Sequence, residues 1–232
     1  MDRRQFNFIS LLAPAILLAQ QRAYAFSISD LTNIEASQGL KTALERGAVT
    51  AVNLLGKTDG FLGNEKVRIA LPGYLEDASQ LLRIMGQGGH LDELVTAMNR
   101  AAEAAVPMAK DLLIGAIRSM NVMDARQILT GGETAITTFF AEKTRLPLSA
   151  RFLPVVTEVT AKVGLAEKYN QIAGKAANFG LIKKEEANIQ QYVTDKSLDG
   201  LFVMIGEEEK KIRQDPVATG SAILKKVFGS LN

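Results

Sequence analysis

The polar residues with the most chemical reach fall into two clusters. Tyr192, Asp195, Lys196 and Asp199 are spaced so that a helix would carry them on one face. Two carboxylates four residues apart, beside a lysine and a tyrosine, can perform acid–base work or hold a cation if a cleft receives them. Left in water, the same face is the ordinary polar side of an amphipathic helix, with Leu198, Leu201 and Ile205 opposite. Asn99, Arg100 and Glu103 flank the apolar stripe of an alanine-rich helix. Alanines let a second helix come close, so these three are expected to be partly buried. They would form a structural hydrogen-bond network or orient a ligand. Glu133 is a further carboxylate available to such a site.

Other chemistry is weaker. Gly56-Lys57-Thr58 resembles the tail of a phosphate-binding loop, but Ala51 stands where the first glycine belongs, and a helix precedes it rather than a strand. Gly56 reads as a helix end. Asp59, Asn64 and Glu65 could offer oxygens to calcium, yet their spacing does not match a calcium-binding loop, and turn formation accounts for them. His90 follows two glycines and has no nucleophile beside it in sequence. With one histidine and no cysteine, multi-histidine metal sites, thiolate metal sites, disulfides and cysteine nucleophiles are excluded. No cofactor and no metal are expected.

The elements that must position these residues begin after an export signal. Arg3-Arg4-Gln5-Phe6 opens the chain, the apolar run Phe8–Ala19 follows, and Ala23-Tyr24-Ala25 ends in small residues. This is the layout of a cleavable signal peptide over residues 1–25, cut after Ala25; its paired arginines resemble a twin-arginine start, and an ordinary secretory signal that happens to hold two arginines is the alternative. The run is too short to span a bilayer. The expected location is the periplasm. Residues 26–34 read as a loose arm and 35–232 as one domain. The chain holds 27 Lys and Arg against 25 Asp and Glu. The signal contains Arg3, Arg4, Arg22 and Asp2, so the remainder carries equal numbers of acidic and basic side chains. A neutral protein gives nucleic acid no bulk electrostatic attraction, and none is expected as partner.

Helical periodicity dominates the rest. Leu40, Leu44, Ala48, Ala51, Val52 and Leu55 form one stripe. Residues 57–73 break it with turn clusters, and Val67–Ala70 reads as a short extended piece. Pro72 suits a helix start, and Gln87-Gly88-Gly89 a break. Leu91, Leu94, Val95, Met98, Ala101, Ala102 and Ala105 mark a long helix, which Pro107 kinks or ends. Asn121 and Asp124 suit a capped short helix. Ala135–Phe140 forms another, Pro147 starts the next, and Pro154 should bend it. Further stripes run through Leu165–Ala176, Leu198–Ile205 and Ala222–Phe228. Within the late stretch, Glu207 with Lys211 and Glu209 with Arg213 read as pairs at a solvated helix end. The fold class is all-α: one compact domain of about eight to ten helices. No repeat recurs, so it is not a solenoid.

Three long motifs are similar to a family of exported bacterial proteins, the domain of unknown function 4197. They are Met98–Ala105, Ile128–Ala135 and Tyr192–Ile205, supported by Leu54–Lys57, Asp59–Leu62 and Glu207–Arg213. The resemblance covers roughly residues 35 to 229. It implies an exported helical protein and brings no activity or site residue.

The functional expectation is a non-enzymatic binding protein for an envelope protein or an apolar small molecule. Met85, Met98, Met108, Met120 and Met123 could line a soft apolar interior, or be plain core. The alternative is a carboxylate-based enzyme or cation-binding protein using a cleft around Glu103, Asp195 and Asp199.

Overall fold

The computed structural model describes residues 33–215, apart from 133, 181–182 and 184–186. The expected signal peptide, most of the expected arm, Glu133 and the expected helix over 222–228 lie outside the described residues. The helices are α1 (Asn33–Leu55), α2 (Gly73–Ile84), α3 (Gly88–Ala105), α4 (Ala109–Ser119), α5 (Val122–Thr130), α6 (Ala135–Thr160), α7 (Gly164–Asn178) and α8 (Ile189–Gln214). There is no strand among the described residues. The piece over Val67–Ala70 runs without strand partners, and its backbone groups are met in another way, set out below.

The α1 stripe is buried as its spacing requires: Leu40, Leu44, Ala48, Ala51, Val52 and Leu55 all lie in the core. Gly56 follows the helix end, its N–H donating to the Val52 carbonyl at 2.8 Å. The stripe on α3 is buried from Leu91 to Ala105, apart from the half-buried Val95. Pro107 ends α3 in one turn of 3-10 helix, Val106–Met108, before α4 begins. Asn121 and Asp124 form the expected capping box at α5: each side chain accepts from the other's backbone N–H, at 2.8 and 3.0 Å.

Two expected breaks fall elsewhere. Gly88 and Gly89 lie in the first turn of α3, where the backbone N–H groups lack helical partners in any case. The chain turns at Gly86, whose φ of 80° is left-handed and suits glycine. Pro147 does not start a helix. It and Pro154 both lie inside α6. An interior proline removes a helical hydrogen bond and crowds the preceding turn. Against this, α6 buries Phe140, Leu148, Phe152 and Val156 completely, along one continuous face. Joining the two expected helices lowers the count toward the bottom of the expected range.

Helices α3, α6 and α8 pack mutually, α1 packs on α4, α5 and α8, and the buried side chains form one cluster. Contact between α1 and α8, the first and last of these helices, closes the bundle. A solenoid repeat would contact only its neighbours. No helix among the described residues is long and apolar enough to cross a membrane.

Helix α8 begins nine residues before its apolar stripe, Leu198–Ile205, and ends nine residues after it, and its last turns are not simply solvated. Glu209 is 1% exposed. Its Oε1 accepts from Arg213 at 2.7 and 2.9 Å, and Arg213 also donates to the Ile128 carbonyl of α5 at 3.1 Å. Glu207 bonds Lys66 and Lys210 instead of Lys211, which bonds Glu208. Burial pushes the Glu209 carboxyl above its ordinary range, while Arg213 and the backbone N–H groups of Ile136 and Thr137 pull it back. A carboxyl that holds its proton more tightly in the folded state gives most stability below the ordinary carboxyl range. That stability is lost as pH rises through the raised value. Glu209→Gln should abolish the decline, whatever constant offset the lost Arg213 pairing adds. Thermal unfolding from about pH 4 to about pH 7 checks this. A wild-type-to-variant difference that stays constant across the window would refute it.

Candidate functional site

The loop between α1 and α2 lies against α3 and α8, and most of the singled-out polar residues hold it there. Asn99 is fully buried. Its Oδ1 accepts from the Ile69 N–H at 2.8 Å, and its Nδ2 donates to the Ile69 carbonyl at 2.9 Å and the Val95 carbonyl at 2.8 Å. These bonds fix the orientation of the amide. Asn99 thus pairs with the extended backbone at Ile69 as a neighbouring strand would. Four residues on, one turn along α3, Glu103 Oε1 accepts from the N–H groups of Phe61 and Leu62 at 3.0 and 3.1 Å. Its Oε2 accepts from Arg100 at 2.6 Å, and Arg100 reaches on to Asp59 at 2.8 Å. The two carboxylates raise the Arg100 guanidinium above its ordinary value, Glu103 more than Asp59. Asp59 itself has a φ of 64°, a left-handed conformation that Asp tolerates better than most side chains.

On the far side of the loop, the Tyr192 hydroxyl donates to the Ala70 carbonyl at 3.1 Å. Gly200 sits under Phe61. A Cβ there would stand 2.7 Å from Phe61 Cε1 and 3.2 Å from Val67 Cβ, so only glycine lets the ring lie this close to α8. Phe61 is fully buried. Gly60 is as constrained, since a Cβ would meet the Leu55 carbonyl oxygen at 2.3 Å.

Tyr192, Asp195, Lys196 and Asp199 do share a face of α8, half-buried to exposed. Asp195 accepts from Gln191 at 3.1 Å. Asp199 is paired with Arg145 of α6, a residue that sequence reasoning missed because it lies 54 positions away. Arg145 also lies over the Phe202 ring, 5.6 Å from its centroid. The Lys196 ammonium stands 5.8 Å from the Tyr192 ring centroid. The first cluster therefore grips the loop, and of the second only Tyr192 bonds it, while Asp195, Lys196 and Asp199 are engaged on α8 and by α6. Their carboxylates have separate partners: Glu103 with Arg100 and two N–H groups, Asp199 with Arg145, Asp195 with Gln191. Among the described residues no three acidic or histidine side chains are placed to hold a metal. Asn64 Oδ1 accepts from the Lys66 N–H at 3.2 Å, the turn role expected of it. His90 lies at the surface, 3.7 Å from Glu93.

Between residues 66–70 and α8 lies an open groove of about 270 Å³, lined by Lys66, Arg68, Ala70, Lys196 and Val203 among others. Arg68 and Ala70 also border a second groove of about 310 Å³, toward α2 and α3. A third, of about 420 Å³, lies between α5 and α6. The methionines do not converge. Met98 and Met120 are core, and Met85, Met108 and Met123 are exposed.

These features define an all-helical protein whose motif residues clamp a long loop across two helices. The chain belongs to the family described as "Protein of unknown function (DUF4197)", whose model matches residues 30–229. No curated protein and no solved structure matches it.

Proposed function

We propose that the chain is exported, loses residues 1–25, and acts in the periplasm as a binding protein for an envelope protein. The observation that carries the binding reading is on α2. Leu81, Ile84 and Met85 are 62%, 78% and 65% exposed. Their spacing of three and four makes them one face of the helix and its first residue beyond. A row of large apolar side chains held in water is the usual mark of a docking surface. An apolar small molecule would need an enclosed apolar space. The methionines expected to form one are divided between core and surface, so the protein partner is the better occupant. The carboxylate-based alternative has the weaker support, because Glu103, Asp195 and Asp199 are engaged by different partners.

Ile84→Glu with Met85→Glu tests this reading. Both side chains are exposed, so the double variant should keep its stability within about 0.5 kcal/mol. Native mass spectrometry of wild-type protein purified from its own periplasm should show an added mass of protein size. The variant should lack it. A lipid-sized addition, or bare chain from both, would overturn the proposal. Export has its own test: Arg3→Lys with Arg4→Lys should leave the precursor uncleaved in the cytoplasm. Unchanged processing would remove the twin-arginine route.

A further inference from the structure

Val67, Ile69 and Leu71 are buried, and Arg68 and Ala70 between them are exposed. This alternation is that of an extended strand, in which successive residues face opposite ways. Asn99 satisfies both backbone groups of Ile69 on one side. The backbone groups of Arg68 and Ala70 then face the other side. Two of the four have partners: the Arg68 N–H donates to the Asn64 carbonyl at 2.8 Å, and the Ala70 carbonyl accepts from Tyr192 at 3.1 Å. The Arg68 carbonyl and the Ala70 N–H have no protein partner among the described residues. An acceptor and a donor two residues apart are what one residue of a parallel strand fills, with its own N–H and C=O.

The charges beside this edge are unbalanced. Lys66 is held by Glu207, and Asp199 by Arg145. Arg68 and Lys196 line the same groove with no ion-pair partner among the described residues. Lys196 is kept over the groove by the Tyr192 ring. Val203, 46% exposed, adds one apolar surface at the groove wall. Two cations in no ion pair thus flank an open backbone edge, although Arg68 also acts at longer range on the Asp92 carboxylate, with which it borders the second groove.

We infer that the groove between residues 66–70 and α8 binds an extended acidic segment of a protein partner, paired to the Arg68 carbonyl and the Ala70 N–H, with its carboxylates on Arg68 and Lys196. A lipid phosphodiester satisfies the cations and the N–H but has no donor for the Arg68 carbonyl, and inorganic phosphate offers only a hydroxyl in place of an aligned N–H and C=O. A peptide supplies both, which is the chemistry of strand addition. The inference goes beyond the α2 reading and rests on different residues, so each can fail alone.

The test is a titration of the 15N-labelled protein with an acetylated, amide-capped hexapeptide of alternating aspartate and valine, followed by NMR. The amides of Arg68, Ala70, Leu71, Tyr192 and Lys196 should shift. Arg68→Glu with Lys196→Glu should weaken binding by about tenfold or more, with the fold intact by circular dichroism. Methylating the central peptide nitrogen should weaken it similarly, since that nitrogen serves the Arg68 carbonyl. The inference is overturned if the acidic peptide shifts none of these amides. It is also overturned if the same peptide with lysine in place of aspartate binds equally well. Inorganic phosphate or anionic lipid vesicles reproducing the same shifts with the same double-variant loss would overturn it in favour of a simple anion site.

Discussion

Replacing Asn99 by leucine should destabilise the protein by about 2–5 kcal/mol, although leucine matches the apolar surroundings and favours helix. The loss comes from the loop. With the amide gone, the Ile69 N–H and C=O keep their buried setting and lose their partners. Each unsatisfied buried group costs about 1–3 kcal/mol. The Val95 carbonyl, which also accepts from Asn99, keeps the chance of a helical bond and adds less. Urea unfolding monitored by circular dichroism measures the shift, and hydrogen exchange at Ile69 shows whether the loop is what opens. A loss below about 0.5 kcal/mol would mean that Asn99 does not hold the loop.

Phe61→Ala should cost about as much, 3–5 kcal/mol by the usual range for buried aromatics. The ring is fully buried, and it fills the space that Gly200 leaves on α8. Glycine inside a helix is about 1 kcal/mol worse than alanine, so this position carries a local penalty that the ring's burial offsets. Truncating Phe61 empties the space on both sides at once. The same unfolding experiment applies, and a loss below about 1 kcal/mol would show that the site collapses around the smaller side chain. Because Asn99 and Phe61 secure the same loop, the double variant should lose less than the sum of the two. Once the loop is released by one change, the other has less left to remove.

The stripes of α1 and α3 were legible because each helix has one wet face and one dry face, and the period of that alternation is written locally. The cap at Asn121 and Asp124 was legible for the same reason: donor and acceptor lie three residues apart. The joining of α6 through Pro147 was not. Local chemistry favours a break there, and only the buried row from Phe140 to Val156 outweighs it. Glu209 read as solvated for a similar reason. Its i+4 pairing with Arg213 is visible in sequence, but the covering α5 and the start of α6 are not.

The candidate site divides the same way. Sequence placed Tyr192, Asp195, Lys196 and Asp199 on one face, and marked Asn99, Arg100 and Glu103 as polar groups beside an alanine-rich stripe. It could not say that both sets meet the loop after α1. Nor could it say that Arg145 neutralises Asp199 while Arg68 and Lys196 form no ion pair among the described residues. The sequence by itself determined the family, the helical class, the absence of cysteine and multi-histidine chemistry, and the local faces, because composition and short-range spacing suffice for those. Only the tertiary structure decided which polar groups are consumed in holding the loop and which are left over. That outcome depends on pairs 30 to 141 residues apart, such as Asn99 with Ile69 and Lys66 with Glu207, and no local period encodes them.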